Sequence, residues 1–224
     1  MPPPNARHED LVFRSDNPRC RGRQRLLSLQ KTAHPSGAET ATRVGRTDEV
    51  GARWGGALPL HLVASNVALD INLSTISGES RPLEEWVTTF HLASVVLDPF
   101  TNESSWVLKS AIRILDAFRG ADVRVNLVLT CTADEAKQFL GPIADQFLVF
   151  CDADRSFVKG LGVATLPAFV FVRGDGSVEA AAEGWNPAEW RTVAKTIAEN
   201  TSWIAPTIPV ASDPSPFHGT PALG

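Results

Sequence analysis

The stretch Val163-Ala-Thr-Leu-Pro-Ala-Phe-Val-Phe-Val-Arg-Gly-Asp-Gly-Ser-Val178 carries the most informative local signals in this chain. Its apolar run, Ala168 to Val172, is rich in β-branched and aromatic residues, which favour strands. Leu166-Pro167 precedes the run, and proline is tolerated at the first residue of a strand because it removes no donor from the interior of the ladder. Gly174-Asp-Gly176 follows the run and predicts a tight turn into a second strand. The stretch therefore predicts a β-hairpin entered through a proline.

Two strand-then-helix units lie upstream of this hairpin. Leu92 to Asp98 and Val123 to Cys131 are almost entirely apolar, as expected for parallel strands that are buried on both faces. Apolar residues at helical spacing follow the first strand between residues 107 and 118. A capping box, Thr132 to Glu135, opens a helix after the second strand. Strands that alternate with helices predict right-handed crossovers and a parallel core sheet.

The rest of the domain follows the same pattern. Phe147 to Cys151 predicts another short strand, and Asn186-Pro-Ala-Glu189 has both the capping-box spacing and a proline at the first helical position. The closing hairpin adds antiparallel strands at one edge of the sheet. We therefore predict one α/β domain over residues 51–203, with a central mixed sheet and helices on both faces.

The two ends of the chain have a different character. Residues 1–50 carry nine Lys or Arg against six Asp or Glu and show no sustained apolar period, which predicts a disordered basic segment. Residues 204–224 contain five prolines and no period, which predicts a Pro-rich disordered tail. Segments of this kind do not bury enough apolar surface to offset their ordering entropy, so both ends should be dispensable for stability.

Composition excludes several classes of function. The net charge of −4 argues against a nucleic-acid-binding domain, which is normally basic. No run of 18 apolar residues is present, so no membrane span is predicted, and the absence of an apolar leader near Met1 leads us to expect a cytoplasmic protein. The three cysteines and five histidines have no zinc-site spacing, so neither a metal nor a cofactor is expected.

A proline that opens a hairpin, with one helix before it and another after it, resembles the thioredoxin superfamily. The resemblance covers most of the span from Leu92 to Asn200 and includes the branches of the TlpA- and ResA-like thiol-disulfide reductases and of the peroxiredoxins. Their pattern of an apolar strand ending in Asp, a short helix and a Gly-Asp-Gly hairpin is matched by Phe147 to Val178. The resemblance implies a thioredoxin-like fold and a cis peptide bond between Leu166 and Pro167.

The active-site Cys-x-x-Cys of that superfamily is missing here. Its position follows the first core strand, where the chain reads Asp98-Pro-Phe-Thr-Asn-Glu-Ser-Ser-Trp-Val-Leu108, and no alignment of this segment supplies a sulfur. Ser104 and Ser105 have no neighbouring base in sequence, so we interpret them as capping groups at the helix start. Asp98 matches the buried acid of the superfamily, and without a dithiol we expect it to accept hydrogen bonds from the loop backbone.

Cys131 and Cys151 end two strands that are neighbours in the TlpA-like pattern. Such a placement would bring their Cα atoms to about 5 to 6 Å, which is within disulfide range. They also fall at the carboxyl end of the sheet, where α/β proteins usually bind ligands. The alternative is that both are buried and act as small apolar side chains. Asp134, Glu135, Asp152 and Asp154 lie close in sequence to the two thiols and should raise rather than lower their pKa.

A second candidate site is the groove beside the proline. The resemblance places Leu166-Pro167 opposite Trp106, in a groove where relatives recognise extended peptides. An aromatic side chain beside a sheet edge with free backbone groups suits such a ligand. Trp106 as an ordinary core residue is the alternative.

Three functions are compatible with the sequence. The first is a thioredoxin-like protein without dithiol catalysis, which binds a protein or peptide partner through Trp106, Leu166 and Pro167. The second is a thiol-disulfide oxidoreductase or redox-homeostasis protein that acts through Cys131 and Cys151. The third, a transferase with a thiol cofactor in the same groove, rests on fold analogy alone. The missing dithiol favours the first.

Overall fold

A computed structural model of the chain describes residues 65–224. Residues 1–50 and the first part of the predicted domain, 51–64, therefore lie outside the described residues. The helices and strands are β1 (Asn72–Thr75), β2 (Ser80–Pro82), α1 (Leu83–Val87), β3 (His91–Leu97), α2 (Asn102–Ala117), β4 (Val123–Leu129), α3 (Ala133–Leu140), β5 (Leu148–Cys151), α4 (Ser156–Leu161), β6 (Thr165–Leu166), β7 (Ala168–Val172), β8 (Val178–Glu183), α5 (Pro187–Asn200) and β9 (Thr220–Pro221).

Seven of the strands form one mixed sheet in the order β2-β1-β5-β4-β3-β7-β8. Strands β3, β4 and β5 run parallel, whereas β7 pairs antiparallel with β3 and with β8. Six of the seven residues of β3 are buried, as the apolar run predicts for a central parallel strand. The peptide bond between Leu166 and Pro167, at the entry to β7, is cis.

Helices cover both faces of this sheet, so the predicted α/β architecture is confirmed. One core contains the apolar faces of α2, α3 and α5, including Ile114 and Trp190. The other contains those of α1 and α4, including Trp86 and Phe157. No helix within residues 65–224 combines the length and apolar character needed to cross a membrane.

The predicted helix starts have a clear local cause. The carboxylate of Glu135 accepts the backbone N–H of Thr132 at 2.9 Å, so the capping box opens α3. The side chain of Asn186 accepts the N–H of Ala188 at 3.1 Å, and Pro187 occupies the first position of α5. These contacts join residues only a few positions apart, which is why the sequence reveals them.

Residues 204–224 correct the prediction of a disordered tail, because the segment packs along the domain. The side chain of Ile208 is buried, and its carbonyl accepts a hydrogen bond from Arg191 at 2.7 Å. The indole N–H of Trp185 donates to the carbonyl of Pro214 at 2.9 Å. Order in this segment comes from contacts with the rest of the domain rather than from any apolar period of its own. Its prolines restrict the unfolded chain, so less conformational entropy is lost when the segment becomes ordered.

Asp213 is the strongest anchor of this segment. Its carboxylate accepts hydrogen bonds from Ser110 at 2.7 Å and from Arg113 at 2.8 Å, both on α2, and from the N–H of Val210 at 2.8 Å. Burial raises the pKa of Asp213, but these donors stabilise the carboxylate and bring the pKa below its ordinary value. The tail is therefore tied to α2 through a charged and buried contact.

Candidate functional site

The junction between β3 and α2 is a hydrogen-bonded turn built on Asp98 and Ser104. The buried hydroxyl of Ser104 accepts the backbone N–H of Asp98 at 2.9 Å and lies 3.1 Å from the hydroxyl of Thr101. Ser104 therefore ties the end of β3 to the first turn of α2, rather than capping the helix as predicted. Ser105 is exposed, and the helix begins after Thr101 without a side-chain cap. Neither serine is arranged as a nucleophile.

Asp98 has a charged partner that sequence reasoning missed. One of its carboxylate oxygens accepts the N–H of Phe100 at 3.0 Å, which is the loop contact that was expected. The other accepts Nη2 of Arg155 at 2.8 Å, and the Asp98 and Arg155 side chains are 8% and 20% exposed. Arg155 precedes α4 with φ at 57°, in the left-handed region. No motif in the sequence marks this arginine as a partner, since the two residues are 57 positions apart.

Cys151 is the last residue of β5, whereas Cys131 lies two residues past the end of the neighbouring parallel strand β4, so the two cysteines are not in register. Cys151 is opposite Leu129, so Cys131 falls two positions further along the chain, which is an offset of about 6.6 Å along a strand. Both thiols are free. Burial raises the pKa of Cys131 to about 12, with smaller contributions from the charges of Cys151, Glu135 and Asp98. Burial also raises the pKa of Cys151, which Lys137 partly opposes. Both thiols are therefore poor nucleophiles near neutral pH.

The raised thiol pKa values predict slow alkylation in the native state. With a pKa of about 12, roughly one Cys131 in 10⁵ is a thiolate at pH 7, about a thousandfold less than in the unfolded chain. Site-resolved mass spectrometry after iodoacetamide labelling at pH 7 should show little modification of Cys131 and slow modification of Cys151. Both should react quickly in 6 M guanidinium. Rapid labelling of either cysteine in the native protein at pH 6.5 would contradict this assignment and favour redox chemistry.

The residues beside the cis peptide bond are covered by the chain's own tail. Leu166 and Pro167 are buried, and β6 pairs antiparallel with β9, which sets Leu166 opposite Thr220 and Thr165 opposite Pro221. The N–H of Ala222 continues the pairing by donating to the carbonyl of Ala164 at 2.8 Å. The strand edge beside the cis peptide bond therefore has its backbone groups already paired with the tail.

Trp106 is joined to this edge through the same tail. Its side chain is 55% exposed, so it is not an ordinary core residue. The ring of Phe217 meets it edge to face, with 5.5 Å between the ring centres. Phe217 also exchanges two backbone hydrogen bonds with Trp185, at 3.0 and 3.1 Å. The tail thus contacts both residues, because Phe217 packs on Trp106 and Thr220 pairs with the buried Leu166.

An open cleft of about 450 Å³ lies beside the covered edge. Glu183 and Glu189 line it together with Thr165, and Phe217 and His218 of the tail form another wall. The carboxylate of Glu183 already accepts hydrogen bonds from the backbone N–H groups of Ala164 and Thr165, at 3.0 and 2.8 Å. Since the tail itself forms part of the cleft, removing the tail from the edge would enlarge the available surface. Within residues 65–224, no three His, Cys, Asp or Glu side chains are grouped as metal ligands.

Comparisons with known proteins identify the fold. No protein-family model matches the chain, and no curated protein matches it in sequence. A hypothetical protein from Sinorhizobium meliloti 1021 has a similar structure, with a TM-score of 0.53, 14% identity, and 71% of this chain and 93% of that chain covered. The bacterioferritin comigratory protein of Xanthomonas campestris, described for its alkyl peroxide reduction activity, matches at a TM-score of 0.50 and 14% identity, over 62% of this chain and 97% of that chain.

Peroxiredoxin Q of Xanthomonas campestris gives a similar result, with a TM-score of 0.50 and 14% identity over 62% of this chain and 96% of that chain. At this level of identity, the likeness concerns the fold alone. The chain has the thioredoxin-like fold, as the sequence resemblance implied.

Proposed function

We propose that this chain is a peptide- or protein-binding module of thioredoxin-like fold that does not catalyse thiol-disulfide exchange. The observation that carries the proposal is the pairing of β6 with an extended segment, residues 217–222, whose Phe217 packs on Trp106. A strand edge that pairs with one extended segment in this way has the backbone geometry to pair with another. Trp106, Leu166 and Pro167 are the binding residues in this proposal, and the expected location is the cytoplasm.

Addition of a strand to a sheet edge explains how such a site gains both affinity and selectivity. Backbone hydrogen bonds supply affinity for any extended peptide, and pockets for alternate side chains select among peptides. At this edge the backbone partners are Ala164 and Leu166, and the side-chain surfaces are Trp106 and the cleft beside Glu183. A partner must displace residues 217–222 before it can use them.

The chemistry of the described residues supports a role without catalysis. At the β3–α2 junction, the hydroxyl of Ser104 already accepts the backbone N–H of Asp98. The carboxylate of Asp98 is paired with Arg155. The raised pKa values of Cys131 and Cys151 disfavour thiolate formation. An oxidoreductase acting through these two cysteines is the alternative, and the observation in its favour is that Cys151 ends β5 while Cys131 follows the end of the neighbouring strand β4.

The experiment that tests the proposal screens displayed linear peptides against the full-length chain and against its Gly219→Val variant, which is designed to free the edge. Enriched peptides should shift the backbone amide resonances of Thr165 and Leu166, and the Trp106→Ala substitution should weaken their binding about tenfold or more. Neither chain should reduce insulin disulfides. If no peptide affects the Thr165 and Leu166 amides in either chain, the binding function is refuted. Reductase activity that disappears in the Cys131→Ser variant would establish the alternative.

A further inference from the structure

We propose that residues 217–222 compete with a partner peptide for the β6 edge. The sequence pattern of these residues is then the pattern that the partner must also have. The partner is an extended segment with an aromatic residue, a glycine two positions later and a residue no larger than alanine three positions after the glycine. This inference rests on the proposed binding function and adds to it both the recognition pattern and the regulation. The pattern follows from three tight contacts of residues 217–222.

The aromatic position is set by Phe217. Its ring lies against Trp106, with an angle of 81° between the ring planes, which is the edge-to-face arrangement that aromatic pairs prefer. Its backbone N–H and carbonyl are both paired with Trp185, which fixes the direction in which the side chain points. An aliphatic side chain at this position would lose the ring contact, and a charged one would be placed against the apolar face of Trp106.

The glycine position is set by the close approach of two backbones. A Cβ atom on Gly219 would clash with the carbonyl of Leu166. A second backbone is also close, because a Cβ atom on Gly184 would lie 2.8 Å from the nitrogen of Gly219 and 2.9 Å from the carbonyl oxygen of Phe217. Gly184 has φ at 62°, a conformation that favours glycine, so the domain itself also lacks a side chain where the tail passes. The space between Leu166 and Gly184 admits a backbone without a side chain.

The small position is set by Ala222. Its side chain is fully buried and belongs to the core that contains Leu166 and Phe157. Its N–H donates to Ala164, and its carbonyl accepts a hydrogen bond from Arg155, the same arginine that pairs with Asp98. A larger side chain here would have to displace the core residues around it. Leu223, the next residue, is 55% exposed, so the tight fit ends at Ala222.

The segment can leave the edge without detaching from the domain. Its pairing with β6 involves only two strand residues, whereas Asp213 and Pro214, a few residues upstream, are held by Arg113 and Trp185. A tether of this length keeps the released segment at an effective concentration on the order of 1 mM. For a free peptide with a dissociation constant on the order of 10 µM, this competition weakens apparent binding about 100-fold.

The test uses a synthetic peptide of residues 214–224 and full-length chains. Gly219→Val in the chain should release the segment, seen as fast hydrogen exchange of the Ala222 amide, and this chain should bind the wild-type peptide about 100-fold more tightly than the wild-type chain does. In the peptide, Gly219→Val or Ala222→Trp should abolish binding to the released chain. Ser215→Val is the matched control, because it introduces the same side chain at an exposed position of the peptide outside residues 217–222 and should change each affinity less than about threefold.

Each other outcome overturns the inference. If the Ala222 amide still exchanges slowly in the Gly219→Val chain, the Ala222→Trp chain is measured in its place. The Trp side chain does not fit where Ala222 is buried, so this substitution should also release the segment. If neither substitution releases the segment, residues 217–222 are a fixed part of the fold. Equal affinity of the wild-type and released chains for the peptide shows that the tail does not compete. Displayed peptides that bind at Thr165 and Leu166 while the chain's own peptide does not would refute the recognition pattern and leave the proposed function intact.

Discussion

A chain shortened to end at residue 203 should lose roughly 5 kcal/mol of unfolding free energy, or fail to unfold cooperatively at all. This reverses the sequence-based expectation that the tail is dispensable. The truncation removes the buried side chain of Ile208 and the contacts of Asp213 with Ser110 and Arg113. It also removes Pro214, whose carbonyl accepts the indole N–H of the buried Trp185. Exposing a few hundred Å² of apolar surface alone amounts to several kcal/mol. Native proteins are stable by only about 5 to 15 kcal/mol, so this loss is a large share of the total.

Urea unfolding followed by circular dichroism measures the effect. A chain shortened only to residue 222 is the control, since Leu223 is exposed, and it should match the full-length chain within about 0.5 kcal/mol. The Asp213→Ala variant should account for a substantial part of the loss, because it leaves the N–H of Val210 and the hydroxyl of Ser110 without their acceptor. An unchanged midpoint for the chain that ends at 203 would show that the tail contacts contribute nothing.

The Asp98→Ala substitution should destabilise the protein by about 3 kcal/mol, because it leaves the charge of Arg155 inside the domain without a partner. It also removes the acceptor for the N–H of Phe100, so the loop between β3 and α2 loosens at the same time. Asp98→Asn should cost less than Asp98→Ala, since its single amide oxygen still accepts a hydrogen bond from one of the two partners, although its NH₂ group then faces the other donor. Arg155→Ala should be destabilising as well and should speed hydrogen exchange at Ala222, whose carbonyl loses its donor.

A double-mutant cycle between Asp98 and Arg155 separates the pair from its surroundings. The two single substitutions should be strongly non-additive, with a coupling energy of about 1 to 3 kcal/mol. Asp116→Ala is the matched control, because Asp116 pairs with Arg119 on the surface, with side chains 61% and 49% exposed. Its removal should change stability by less than about 1 kcal/mol. Additive effects at Asp98 and Arg155 would mean that the ion pair does not contribute to the fold.

Local patterns were sufficient to predict the main elements of the sheet and the helices that cover it. The apolar run that begins at Leu92 forms the buried strand β3. The capping residues Thr132 and Asn186 precede α3 and α5, as expected. Each of these signals reflects contacts within one turn of helix, or the burial of one strand on both faces. The candidate site was predictable only in outline. Trp106, Leu166 and Pro167 remain proposed binding residues, and the segment 217–222, which contacts Trp106 and Leu166, was not anticipated.

The sequence by itself determined the order of the core strands and helices and the absence of a dithiol after β3. The four carboxylates expected to surround the two thiols are not the main influence on them: burial raises both pKa values, Glu135 adds to it at Cys131, and Lys137 opposes it at Cys151. Only the tertiary structure decided that residues 204–224 are ordered, that Arg155 pairs with Asp98 and that Phe217 reaches Trp106. The tail contact of Ser110 with Asp213 joins residues 103 positions apart. Such pairings leave no periodic trace in the chain, because each depends on the register and packing of elements in between. A proline-rich segment of this kind therefore has the local pattern of a disordered chain, although contacts with the folded domain order it.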